Sequence, residues 1–224
     1  MSINIGEIHR PSQRLVDSFQ PFNTGTLCNA LDRKGLSGAM LGLRAVFPGL
    51  RVLGCALTVL ESSGERGSAQ PEDMNLAAII EAIAPGDVVV IANSGHRVSS
   101  GGGVFAYAVK AAGAAGVVVD GAVRDIEQIG EYQLPTFAKY TVPVTGKARI
   151  KVEAINQPVQ VDGVLVRPGD IVLGDATGVV CVPLAMAEEI VTLAAKQDSL
   201  DNHTIELMRK GISFREAQKR AGVR

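Results

Sequence analysis

The sequence predicts an α/β fold, and three observations carry the prediction. Two apolar runs, 87–92 and 117–119, are rich in β-branched residues and bounded by glycine, as buried strands at the centre of a sheet are. Segments of helical period alternate with them through the first 135 residues. From 136 to 183 the pattern changes to short apolar runs broken by Pro, Gly and Asp, which predicts an all-β half.

In chain order, apolar residues at helical spacing predict helices over 13–18, 25–34 and 75–83. The strand at 87–92 is followed by a polar loop and then by Ser99, Ser100 and three glycines, so a helix is expected over 104–112. Either serine could cap it, and Gly113 would stop it. After the strand ending near Val119 a further helix is expected over 126–131. Strands are expected at 149–153, 159–161, 164–166, 171–173 and 179–182. A helix from 185 to about 210 follows, and Ser213 with Glu216 has the spacing of a capping box that opens a last amphipathic helix. No charge block, repeat, low-complexity segment or linker interrupts the chain, so one domain over 1–224 is expected, with a C-terminal helical extension from about 185.

With 224 residues, 46% hydrophobic and 20% charged, the chain can bury a full core. A formal net charge of −1 gives no electrostatic reason to expect nucleic acid or a membrane surface as partner. The start has no signal-peptide pattern, and no run approaches the roughly 18 apolar residues of a membrane span. A cytoplasmic protein is the expectation. Cys28, Cys55 and Cys181 are odd in number, far apart and set among apolar neighbours, which suits reduced thiols better than disulfides or a zinc cluster.

The densest chemistry lies at 113–125. A buried strand runs into Asp120 and Gly121 and then presents Arg124 and Asp125. Open α/β sheets bind ligands beyond the carboxyl ends of such strands. A guanidinium offers a planar fork to a carboxylate or enolate oxygen, and the carboxylate beside it can hold a hard divalent cation directly or through water. A solvated Arg-Asp pair after a turn has the same sequence. The upstream glycines alter the balance, because Gly101, Gly102 and Gly103 let backbone approach a ligand while free amides at a helix start attract an anion. Backbone donors on one side and Arg124 with Asp125 on the other would suit a 2-oxo acid.

A glycine turn and helix, a gap of about twenty residues, then Asp120-Gly-Ala-Val-Arg-Asp125 resembles the RraA-like family. That family includes 4-hydroxy-4-methyl-2-oxoglutarate / 4-carboxy-4-hydroxy-2-oxoadipate aldolases and the regulator of ribonuclease activity A. The likeness extends to residues 26–31, 85–90 and 164–183. It implies a β/β/α swivelling-domain architecture, an αββα sandwich, assembled as a homotrimer or a dimer of trimers with sites between subunits. It also implies a metal-dependent carbon-carbon lyase that uses Mg²⁺ or Mn²⁺. Asp125 and waters would hold the cation, which polarises the C2 carbonyl of a 2-oxo acid and stabilises the pyruvate enolate. Arg124 would steady the same charge, and the amides of Gly102, Gly103, Val104 and Phe105 would grip the carboxylate. Retro-aldol cleavage, oxaloacetate decarboxylation or both would follow.

Two positions depart from the aldolase pattern. Aldolases of the family usually carry an acid twenty-one positions before the motif arginine, and here that position is Gly103. Regulators also lack this acid but typically lose the motif aspartate, which this chain keeps as Asp125. The early helix has Asn29 where the family often has Asp. His96, in the loop ahead of the glycines, is the candidate to replace the missing acid as proton donor, although a solvated loop histidine fits the sequence equally. A Rossmann-type nucleotide enzyme is disfavoured, because Gly101–Gly103 lacks the third glycine of G-x-G-x-x-G.

Overall fold

The computed structural model describes residues 3–222. Strand β1 (Asn4–Ile5) is followed by helices α1 (Gln13–Asp17) and α2 (Thr24–Asp32). Each helix begins at a side-chain cap. Ser12 Oγ accepts from Leu15 N at 3.3 Å, and Asn23 Oδ1 accepts from Thr26 N at 2.8 Å. Strands β2 (Ala39–Met40) and β3 (Arg44–Ala45) lead to β4 (Val52–Ser63). A 3₁₀ turn at Pro71–Met74 and α3 (Leu76–Ala82) then introduce an alternating series: β5 (Asp87–Ala92), α4 (Gly103–Ala111), β6 (Gly116–Val123), α5 (Ile126–Glu131) and β7 (Thr136–Thr141). Strands β8 (Ile150–Ile155), β9 (Val159–Val161), β10 (Val164–Val166), β11 (Ile171–Gly174) and β12 (Val179–Val182) follow without a helix between them. A second 3₁₀ turn at Leu184–Met186 precedes α6 (Ala187–Arg209) and α7 (Phe214–Ala221).

The main sheet runs β2-β12-β11-β4-β5-β6-β7-β3, with β8 also on β4 and β1 on β8. Strands β4 to β7 are parallel, and a helix links each to the next, since parallel neighbours need a crossover. The other edge of β4 serves two partners, β11 near its start and β8 near its end, with a register shift between Leu60 and Glu61. That irregularity leaves Leu60 partly exposed and turns Glu61 inward.

Period-2 alternation divides the core into layers. Val89 and Ile91 of β5 and Val117 and Val119 of β6 pack with Ile79 of α3, Phe105 and Val109 of α4 and Ile129 of α5. Val88, Val90 and Val118 point to the opposite face, where Val159, Val161, Val164 and Val166 of the β9–β10 hairpin cover them. Ile171, Leu173, Val180 and Val182 meet Leu27 and Leu31 of α2 and Ile190 and Ala194 of α6. Hairpin, sheet and helices therefore form a β/β/α arrangement, the mixed α/β fold that the strand and helix patterns predict.

Details at the helix ends differ from the expectation. Ser213 does precede α7, but its side chain makes no capping hydrogen bond. Gly102, and neither serine, is the cap residue of α4. The serine hydroxyls turn inward, Ser99 Oγ to Gly101 O at 2.7 Å and Ser100 Oγ to Glu61 Oε2 at 2.6 Å. All three cysteines are free thiols, with Cys55 and Cys181 buried. Burial raises the Cys55 thiol to about 12, with the Asp87 carboxylate adding to the shift, so it is an inert core group. Among the described residues no helix is long and apolar enough to cross a membrane.

Candidate active site

The in-register parallel pairing of β5 with β6, which sets Ala92 opposite Asp120, brings the ends of both strands together. The loop leaving β5 is stitched along the end of β6. Ser99 bridges to Ala122 and to Thr145, Ser100 N donates to Ala122 O at 2.9 Å, and Arg124 N donates to Gly101 O at 3.2 Å. The glycine loop and the Arg124-Asp125 step are thus hydrogen-bonded neighbours.

Asp125 adopts left-handed backbone, φ 56° and ψ 44°, a conformation Asp tolerates better than most residues. It precedes α5, yet its side chain crosses to the other helix. Asp125 Oδ2 accepts from Gly103 N at 3.0 Å and lies 3.4 Å from Arg124 Nε. A carboxylate at the start of α4 is favoured by the unpaired amides and dipole there. Gly102 makes the crossing possible. A Cβ at that position would collide with Asp125 Oδ2 and come within 2.8 Å of Arg124 Nε.

The side chains of Arg124 and Asp125 remain 40% and 39% exposed, and they face a cleft of about 510 Å³. Gly101, Gly102, Val104 and Phe105 line the same cleft. Gly103 contributes differently from the expectation, since its amide is occupied by Asp125. The first helical bond of α4 runs from Ala106 N to Gly102 O, which leaves the Val104 and Phe105 amides without an acceptor inside the helix.

His96 is exposed and does not line the cleft, so the structure does not bring it to Arg124 and Asp125. The neighbouring Arg97 stacks over Tyr140, 4.7 Å from the ring centre. Asp120 ties the sheet to the β9–β10 hairpin: Lys139 Nζ is 2.7 Å from its Oδ1, and its Oδ2 accepts from Asp162 N at 2.9 Å. Asp175 accepts from Thr24 N and Thr24 Oγ1 at 2.8 and 2.9 Å and anchors α2.

Five polar residues of the cleft were not expected from the sequence: Glu72 in the first 3₁₀ turn and Asn75 after it, Thr145 and Lys147 after β7, and Gln128 on α5. Gln128 occupies an informative place, because a Cβ on Gly103 would collide with its Oε1. Its carboxamide fills the space into which a side chain at 103 would project. Among the described residues no three His, Cys, Asp or Glu side chains stand close enough to cage a metal. The cleft is lined by two carboxylates, Asp125 and Glu72; Asp125 Oδ1 makes no hydrogen bond among the described residues, and Mg²⁺ is commonly held by one or two carboxylates with water.

Comparison with known proteins agrees with this architecture. A Halalkalibacterium halodurans protein provisionally named a 4-hydroxy-4-methyl-2-oxoglutarate aldolase is 33% identical over 187 residues, 83% of this chain and 84% of that one. The crystal structure of an uncharacterized protein from Pseudomonas syringae pv. tomato superposes with a TM-score of 0.83 at 28% identity, covering 94% of this chain and 99% of the other. Streptomyces coelicolor RraAS2, described as an unusual member of the RNase ES inhibitor RraA protein family, gives a TM-score of 0.77 at 31% identity over 87% of this chain and 96% of its own. The RraA-like family model, described as Aldolase/RraA, matches residues 24–181. By that match, and by the fold and relatives that agree with it, the chain belongs to the RraA-like family.

Proposed function

We propose that this protein is a divalent-metal-dependent carbon-carbon lyase acting on a 2-oxo acid. The observation that carries the reading is the joining of Arg124 and Asp125 to the glycine loop at the start of α4, inside a cleft large enough for a small polar substrate. Aldolase names among the relatives support the same class.

When bound, Mg²⁺ or Mn²⁺ held by Asp125 would polarise the C2 carbonyl. Arg124, beside that carboxylate, is placed to stabilise the oxygen that gains charge as the enolate forms. The free amides of Val104 and Phe105 can donate to the substrate carboxylate, and Lys147 adds a second cation to the cleft. Exposed apolar side chains on α4, Val104 at 89% and Tyr107 at 62%, suit a subunit boundary beside the cleft, in keeping with a trimeric ring or a pair of rings.

Proton handling separates the two candidate reactions. Retro-aldol cleavage must remove a hydroxyl proton as the carbon-carbon bond breaks, whereas decarboxylation of oxaloacetate releases CO₂ and leaves the enolate without that step. Gly103 supplies no acid, and the Gln128 carboxamide over it does not ionise. The family's tricarboxylic aldol substrates should therefore be cleaved weakly, and a different 2-oxo acid should be the better substrate.

A screen of 2-oxo acids for pyruvate release, with and without chelator, tests the proposal. Absence of any metal-dependent release would discard it in favour of a non-catalytic binding role, the reading that the likeness to RraAS2 favours. Gly103 lacks positive φ, so an acid there meets no backbone objection, and Gln128 can swing aside. Gly103→Asp, made alone and with Gln128→Ala, should raise aldol cleavage by about 10²-fold or more, the scale of positioned acid-base catalysis. A folded, metal-loaded variant with no gain, beside a wild type already fast on the aldols, would show that the missing acid is not limiting.

A further inference from the structure

Behind the glycine loop lies a buried polar chain that the proposed chemistry does not use. Glu61, 4% exposed, sits at the irregularity of β4. Its Oε2 accepts from Ser100 Oγ at 2.6 Å. Ser100 Oγ in turn accepts from Asn93 Nδ2 at 3.1 Å, and Asn93 Oδ1 accepts from Ser63 Oγ at 2.6 Å. Ser100 and Asn93 are fully buried. Glu61 Oε1, also buried, has no hydrogen-bond partner among the described residues.

We propose that Glu61 is a positioning residue for the glycine loop, holding it through Ser100 in one arrangement as a neutral acid and in another as a carboxylate. Only Gly101 and Gly102 separate Ser100 from Gly103, whose amide holds Asp125, and Gly101 O receives Arg124 N. A change in the Ser100 anchor is therefore passed to both charged residues. The orphan Oε1 supplies the driving force: a buried carboxylate with an unpaired oxygen is costly, and the adjacent loop carries the donors that could turn toward it.

The carboxyl titrates where this matters. Burial raises it to about 8, against a lowering by the Ser100 hydrogen bond. No charged group contributes to the shift from β5, β8 or the loop. Opposite Glu61 on β8 stands Val152, and the flanking Lys151 and Glu153 pair with each other at 2.7 Å. With its folded value above the ordinary 4.5, the contribution of Glu61 is fully present below that pH and is lost as pH rises to about 8.

The test uses ligand-free protein labelled with ¹⁵N-glycine, so it does not depend on any activity. Amide resonances of Gly101, Gly102 and Gly103 should move together with a midpoint near 8. Glu61→Gln should abolish that movement and flatten the fall in melting temperature between about pH 5 and 8. Ser100→Ala, which removes the hydroxyl that links the carboxyl to the loop, should leave the three glycine amides unresponsive to pH near 8 and serves if the glutamine variant does not fold. Loop glycines that fail to titrate in the wild type, or that titrate unchanged in Glu61→Gln or in Ser100→Ala, would each overturn the proposal.

Discussion

Arg124→Lys is expected to fold normally and to lose about 10²–10³-fold in turnover, the range seen when one donor to a developing oxyanion is removed. Folding should survive because the side chain is 40% exposed and its backbone amide, bonded to Gly101 O, is unchanged. Turnover should not, since an ammonium supplies charge without the planar fork that can face a substrate oxygen while lying 3.4 Å from Asp125. Steady-state kinetics on the substrate identified by screening, with melting temperature as the control for folding, decide the matter. A stable lysine variant with undiminished kcat would remove Arg124 from the mechanism.

Loss of the cation is the second large effect expected. Asp125→Ala removes the carboxylate but also places alanine at φ 56°, a strained backbone for that residue, so a fall in affinity could come from local disorder. Asp125→Asn separates the two causes. Asparagine tolerates left-handed backbone, and its amide oxygen can still accept from Gly103 N, while the negative charge is gone. Calorimetric titration with Mg²⁺ or Mn²⁺ should show binding weakened by more than about 100-fold, or none, in both variants, a larger loss than the roughly 10–100-fold of second-sphere changes. Wild-type affinity in the asparagine variant would mean that the cation is held elsewhere.

The parts of this molecule that could be seen in the sequence are those whose signal is local. Residues 87–92 and 117–119 read as buried strands because both faces are covered, by helices and by the β9–β10 hairpin. Helix α5 was legible to the residue, and α4 to within one. The adjacency of Arg124 and Asp125 is in the chain itself. Strands β1, β2 and β3, of two residues each, exist only by virtue of their partners and carry no period. Glu72 and Lys147 reach the cleft through packing of β8 on the first 3₁₀ turn and through the bridge from Ser99 to Thr145, contacts between segments far apart in sequence. Gln128 did leave a signal, since it stands at the third position of the helix that Asp125 precedes. The serines misled because a cap and an inward hydrogen bond to a distant carboxyl demand the same residue type.

The double pairing of β4 bears on how the chain reaches this structure. Joining Glu61 to Val152, or Cys55 to Ile171, closes loops of roughly 90 to 115 residues, whereas Ser99 to Asp125 spans fewer than thirty. Closure entropy grows by only about 0.6 kcal/mol per doubling, so the thermodynamic difference is small. The kinetic difference is larger, because non-local pairings must wait for distant chain to arrive. The glycine loop, α4, β6 and the Arg124-Asp125 step after it form one contiguous segment, which the C-terminal strands meet through the sheet they complete and through the bond from Asp162 N to Asp120.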